Sequence, residues 1–299
     1  MKDLRMKTVN NTEENRGGMS LSPWRVGLIR FAKNRLAVVS LVVVTLILLA
    51  CIFAPALAPA DPYLITLGDK FAGISLRHPF GADGLGRDML SRMLYGGRLT
   101  FKITFMAVFV SLAGLVIGVA SGYVGGWFDL LFSRLSDGLS AIPTFLTAMV
   151  LELTFGWGKG YFMYALGIAM MPPLMRLARN LTIEVKSSEY IEASRALGVS
   201  HIKIICNHIL RNIAPQLVVH VAGSVGDAMI NCTMLGYLGV GVTEPTPEWG
   251  NVIRSGYAYI LTAPQIIGMS CAVVGLTILG FAIIGNGLRD ALAAGSKED

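Results

Sequence analysis

His220, Ser224, Asp227 and Asn231 stand at i, i+4, i+7 and i+11. On a helix this spacing puts four polar side chains on one face over about 16 Å. The residues around them are apolar, and an ionisable group in such a segment is costly in lipid unless it faces a cavity or pairs with a neighbour. The chemistry open to this face is therefore that of a polar lining for something that passes, or that of hydrogen bonding to an adjacent helix. Glu152, in another apolar stretch, is a second candidate for the same cation-tolerant path. His220 and Asp227 alone are too few for an intramembrane enzyme, and no catalytic residue is assigned.

Other reactive residue types lack the spacing that chemistry needs. Gly158-Lys159-Gly160 has neither Ser nor Thr after the lysine and no Gly five residues earlier, so it is not a phosphate-binding loop. If ATP and Mg are used, they belong to another chain, and no cofactor is expected here. His78, His201, His208 and His220 form no H-x-x-x-H or H-E-x-x-H pattern, and Cys51, Cys206, Cys232 and Cys271 form no C-x-x-C. Neither a metal site nor a redox dithiol is indicated.

The stretch 176–212 is far more polar than its surroundings yet keeps a helical pattern. Residues 189–197, Glu-Tyr-Ile-Glu-Ala-Ser-Arg-Ala-Leu, read as a short helix with Glu192 and Arg195 paired at i, i+3. Gly198 follows as its terminator. A second short helix, 200–210, begins with a capping Ser200 and leads to Pro215. Small residues at Ala193, Ser194 and Ala196 would let this face approach another protein closely, as a helix in a groove does. An amphipathic helix resting on lipid headgroups is the alternative.

These segments need elements to hold them, and the composition says which. The 299 residues are 54% hydrophobic and 15% charged, with a mean hydropathy of +0.60. Soluble domains carry about 25% charged residues, so much of this chain faces lipid and a soluble enzyme is excluded. Apolar runs at 36–53, 103–123, 139–155, 161–175, 213–240 and 266–288 are bounded by Gly, Pro or charge and predict six transmembrane helices. The run 36–53 follows eight Lys and Arg, which places the N-terminus in the cytoplasm; six spans return the C-terminus there. Ala54-Pro55-Ala56 resembles a cleavage site, but the preceding run exceeds the roughly 7 to 15 residues of a signal core. The net charge of +6 is spread between the spans and follows membrane topology, not nucleic-acid binding.

The reading divides the chain into a cytoplasmic segment 1–35, an all-α membrane domain of six helices over 36–292 and a tail 293–299. An outer loop spans about 54–102. Within it, 87–99 reads as an amphipathic interfacial helix whose cations snorkel. Gly residues and Pro143, Pro172-Pro173 and Pro215 interrupt the spans, a feature tolerated where helices or a cavity satisfy the freed backbone groups.

Glu192-Ala193-Ser194, then Gly198, then Ile209-Leu210, resembles the EAA loop of bacterial ABC-importer permeases. Three further blocks are similar to the C-type permeases of the peptide/nickel subfamily: His78-Pro79-Phe80-Gly81-Ala82-Asp83-Gly84-Leu85-Gly86-Arg87-Asp88, Glu244-Pro245-Thr246-Pro247-Glu248-Trp249-Gly250 and Gly287-Leu288-Arg289-Asp290-Ala291-Leu292. The resemblance implies a multi-pass protein of the bacterial inner membrane whose loop, Glu189, Glu192, Ala193, Ser194, Arg195, Gly198, Ile209 and Leu210, couples it to ATPases. It also implies a B-type permease partner, two ABC ATPase subunits and an extracytoplasmic binding protein. Arg211 replaces the usual Pro, Asn286 the usual Asp, Cys232 an often-found Glu and Glu152 an apolar residue. Small peptides are the first cargo expectation, and nickel or a metal–chelator complex the second. An ion-coupled secondary transporter is a further alternative, against which the chain lacks two matching halves.

Overall fold

The computed structural model describes residues 23–155 and 161–293. Gly158-Lys159-Gly160, most of the expected N-terminal segment and the tail from 294 lie outside the described residues. Everything described is helix, turn or loop apart from one isolated bridge between Ala82 and Asp88.

The helices are α1 (Pro23–Lys33), α2 (Arg35–Ile52), α3 (Met89–Val124), α4 (Gly126–Ser140), α5 (Thr144–Phe155), α6 (Phe162–Ala169), α7 (Met171–Lys186), α8 (Glu189–Ala196), α9 (Leu210–Leu238), α10 (Trp249–Tyr257) and α11 (Pro264–Ala293). Among the described residues, four helical runs are long and apolar enough to cross a membrane: α2, α3, His201–Leu238 and α11. The pair α4 and α5, bent by 97°, makes a fifth if the two form one broken span.

Several boundaries differ from expectation for physical reasons. The stretch 87–99 is not a separate interfacial helix: Arg87 and the N-cap Asp88 lead into the first turns of α3, which runs unbroken for 36 residues from Met89. At ~1.5 Å per residue α3 is about 54 Å long and must project beyond a hydrocarbon layer of about 30 Å. Asp88 starts it, accepting from the backbone N–H of Ser91 at 2.7 Å and from its hydroxyl at 2.8 Å. Gly125, at φ 76°, ends it. The third apolar run is split by the bend before Pro143, and the fourth by Met170. Pro172 and Pro173 fall in the first turn of α7, where their missing N–H groups are no loss.

Helices α3 and α7 pack backbone to backbone. Gly114, Gly118 and Gly122 repeat every four residues, and a Cβ at each would lie 2.5, 2.2 and 2.7 Å from the carbonyl oxygens of Met171, Met175 and Arg179. Two repeats of the same period thus interlock, the small-residue packing that substitutes in lipid for a hydrophobic driving force. Around this pair lie three apolar cores. One joins α3, α5, α6 and α9 (Ile103, Ala148, Leu166, Leu235). A second joins α2, α3, α10 and α11 (Cys51, Met93, Trp249, Ile266). The third, at the C-terminal end of α3, gathers Val119, Ile191, Ile204, Ile209 and Ile213.

Candidate functional site: the polar face of α9 and the loop below it

The predicted face on α9 is real as a surface. His220, Ser224, Asp227 and Asn231 all line one cavity of about 210 Å³, whose other walls come from Ser111 of α3, Thr144 of α5, Ile230 of α9 and Met170, Pro173 and Leu174 at the start of α7. Pro215 stands inside the helical run without ending it. The Ser111 hydroxyl donates to Val108 O at 2.7 Å and that of Ser224 to Val221 O at 2.8 Å. The Asn231 amide donates to Asp227 O at 2.7 Å. Glu152 is not among the lining residues. It is buried on α5, with one carboxyl oxygen that has no hydrogen-bond partner, so the structure does not join it to the α9 face.

The stretch 187–209 forms a compact hook beneath α3. Helix α8 ends at a left-handed Gly198, φ 75°. The Val199 N–H donates to Ser194 O at 3.1 Å and the Gly198 N–H to Arg195 O at 2.9 Å, the paired bonds of a Schellman stop. Ile191 is fully buried and anchors α8, while Glu189, Glu192, Ala193, Arg195, Ala196, Leu197 and Gly198 are exposed and Ser194 is half-buried.

Three expectations about this hook change. Arg195 is not paired with Glu192; its guanidinium lies over the Tyr123 ring, 5.4 Å from the centroid, because the turn of α8 aims it at the end of α3. Ser200 has extended N-cap geometry but its side chain makes no capping bond. The second short helix is not separate: His201–Lys203 passes through a π-helical turn, Ile204–Ile209, straight into α9. Ile209 is fully buried and Leu210 half-buried, so this pair anchors the hook and Ile209 offers no surface to a partner.

Tyr123, near the C-terminus of α3, ties the hook to the bundle. Its hydroxyl meets His201 Nδ1 at 2.7 Å, and its carbonyl accepts from Lys186 Nζ at 2.6 Å. Sequence spacing gave no signal for it, since its partners lie 63 and 78 positions away.

The other end of α3 carries an ionic network, buried at Asp83, Arg87 and Arg92 and exposed at Glu244, that spacing also missed. Arg87 Nε donates to Asp83 Oδ2 at 2.6 Å, and Arg87 and Arg92 donate to the two oxygens of Glu244 at 2.8 and 2.9 Å. Arg92 is fully buried and does not snorkel, because the two loops bring carboxylates to it. His78 Nδ1 meets Asp88 Oδ1 at 2.9 Å, a structural tie at the start of α3. Glu248 caps α10 in a reciprocal box with Asn251 and accepts from Thr100 Oγ1 at 3.0 Å. Burial pushes its carboxyl up to about 7.

Comparison with known proteins agrees with this architecture. Residues 114–297 match the family described as binding-protein-dependent transport system inner membrane component, and residues 22–76 match the N-terminal TM domain of oligopeptide transport permease C. The chain is 35% identical over 274 residues to the dipeptide transport system permease protein DppC of Alkalihalophilus pseudofirmus, covering 91% of this chain and 90% of that one. It is 35% identical over 273 residues to the glutathione transport system permease protein GsiD of Escherichia coli, with coverage of 91% and 90%. Among solved structures, a chain of the MetNI methionine ABC transporter superposes with a TM-score of 0.55 at 23% identity, covering 69% of this chain and 97% of that one; this likeness concerns the fold. The chain therefore belongs to the inner-membrane permease components of binding-protein-dependent ABC transport systems, in the C-type branch that carries the oligopeptide permease N-terminal domain.

Proposed function

We propose that the chain forms one half of the translocation path of an ATP-driven importer of small peptides, with α8 and both termini in the cytoplasm. The observation that carries this reading is the convergence of His220, Ser224, Asp227 and Asn231 on one cavity in a chain whose relatives are named for dipeptide and glutathione transport. A B-type permease supplies the other half. Of the two ATPase subunits, one seats on the exposed face of α8 and the other on the B-type permease, and an extracytoplasmic binding protein delivers cargo at the end that carries the Arg87–Arg92–Glu244 network. ATP and Mg are handled by the ATPases. Glu152, a buried polar group on α5, belongs to the same half-path although it does not line the cavity.

The test is reconstitution of the chain in proteoliposomes with B-type permease, ATPase and binding protein, followed by uptake of a labelled dipeptide and of glutathione. Uptake of at least one, dependent on ATP and on every component, is expected. Uptake of nickel or a nickel chelate with no peptide uptake would move the reading to metal import. Uptake driven by an ion gradient without ATP would overturn it.

A further inference from the structure

The cavity beside α9 has a chemical character that its residue list does not announce. Two of its hydroxyls have already spent their protons on their own helices: Ser111 on Val108 O and Ser224 on Val221 O. Each then presents lone pairs to the cavity. One of the two Asn231 amide N–H groups is likewise engaged with Asp227 O, which leaves the other N–H and the carbonyl oxygen facing outward. A carboxylate at Asp227 only accepts. No Lys or Arg is among the lining residues, so nothing in this wall neutralises that carboxylate with a fixed positive charge.

We propose that this cavity is a subsite for a cationic, hydrogen-bond-donating group of the cargo, an alkylammonium such as the free amino terminus of a peptide, with Asp227 as its counter-charge. An ammonium brings three donors and no acceptor, and this wall offers it the Asp227 carboxylate, the lone pairs of Ser111 and Ser224 and the Asn231 carbonyl oxygen, alongside the mixed donor–acceptor groups of Thr144 and His220. A bare metal ion fits less well. Of the His, Cys, Asp and Glu side chains that hold transition metals, only His220 and Asp227 line the cavity, and no group of three or more of these types able to hold a metal ion occurs among the described residues. The proposal rests on the α9 face being part of the path.

The experiment reads the cavity's charge preference directly, without relying on what the binding protein accepts. In the assembled transporter, with Cys51, Cys206, Cys232 and Cys271 replaced, Ser224→Cys places a thiol one turn from Asp227. Its rates of reaction with a trimethylammonium-ethyl and a sulfonato-ethyl methanethiosulfonate are compared, and their ratio is divided by the same ratio for a free thiol. With native Asp227 the normalised preference for the cationic reagent is expected to be about tenfold. It should survive Asp227→Glu and fall to near one in Asp227→Asn. A normalised ratio near one with native Asp227, or a ratio unchanged by Asp227→Asn, would overturn the ammonium subsite while leaving the path reading in place. Absence of reaction with either reagent, in nucleotide-free and nucleotide-bound states alike, would overturn both. Should Asp227→Asn fail to assemble, the ratios for native Asp227 and Asp227→Glu still decide.

Discussion

The Tyr123 hydroxyl lies 2.7 Å from His201 Nδ1, so the last turn of α3 is bonded to the first turn of the segment that becomes α9. Arg195 covers the same ring from α8. A push on α8 therefore reaches α3 and α9 through one side chain. Tyr123→Phe keeps the packed ring and loses one hydrogen bond, worth about 1 kcal/mol. Tyr123→Ala also removes a buried ring at a cost of about 3 to 5 kcal/mol. In the reconstituted importer, Tyr123→Phe is expected to lower transport per ATP hydrolysed with normal assembly, and Tyr123→Ala to lower both coupling and thermal stability. Equal coupling in wild type and Tyr123→Phe would remove the hydroxyl from the transmission route.

The stop at Gly198 makes a second expectation sharp. Its φ of 75° is closed to proline, and its N–H bond to Arg195 O would be lost. Gly198→Pro should dislodge the exposed end of α8 and uncouple transport from hydrolysis while membrane insertion persists. Glu192→Lys tests the surface instead of the fold. Because Glu192 is exposed and Arg195 is directed to Tyr123, the substitution breaks no internal ion pair, and its effect should appear as weakened ATPase binding at unchanged melting temperature. Wild-type transport in either variant, with normal assembly, would sink the docking role of α8.

How much of this was legible beforehand depends on the range of the interactions involved. The alignment of His220 through Asn231 and the stop at Gly198 are local facts of helical period and of a positive φ, and both can be read from spacing. Arg92 could not be placed that way. A hydropathy window treats an arginine as the edge of a span, whereas the carboxylates that bury it come from Asp83 and from Glu244, about 150 positions away. The same holds for Arg195, where i, i+3 spacing suggests Glu192 but tertiary contact supplies the Tyr123 ring. The bend of 97° between α4 and α5 was visible as Pro143 and as a continuous apolar run, two signals that pull opposite ways. Only packing decides between them.

The glycine repeat on α3 gives an internal control. A Cβ on Gly118 would meet Met175 O at 2.2 Å, whereas one on Gly268 would meet nothing within 4 Å. Backbone cannot yield as a flexible side chain can, so Gly118→Ala must separate α3 from α7. Its melting temperature in detergent or nanodiscs should fall by several degrees, and Gly118→Leu should abolish assembly. Gly268→Ala should be neutral or slightly stabilising, since alanine costs a helix less entropy than glycine. Similar melting temperatures for Gly118→Ala and Gly268→Ala would mean that the interlocked repeat is not what holds the pair together.

Glu248 gives the pH expectation, and its sign follows from linkage. Burial raises the folded carboxyl from 4.5 to about 7, so between these values the folded chain holds a proton that the unfolded chain has released. The contribution of Glu248 to stability is then greatest below about pH 4.5, declines as pH rises, and levels off above about 7. A rise of this size corresponds to roughly 3 to 4 kcal/mol at most. The donors that meet the carboxylate, Thr100 Oγ1 and the Asn251 N–H, already oppose the shift, so they reduce the slope without reversing it. Glu248→Gln should flatten the melting-temperature profile between pH 5 and 7.5, and Thr100→Val, which removes a donor to the charged form, should steepen it. A wild-type profile that rises with pH over this range, or one that Glu248→Gln leaves unchanged, would show that this carboxyl is ionised throughout and that burial does not control it.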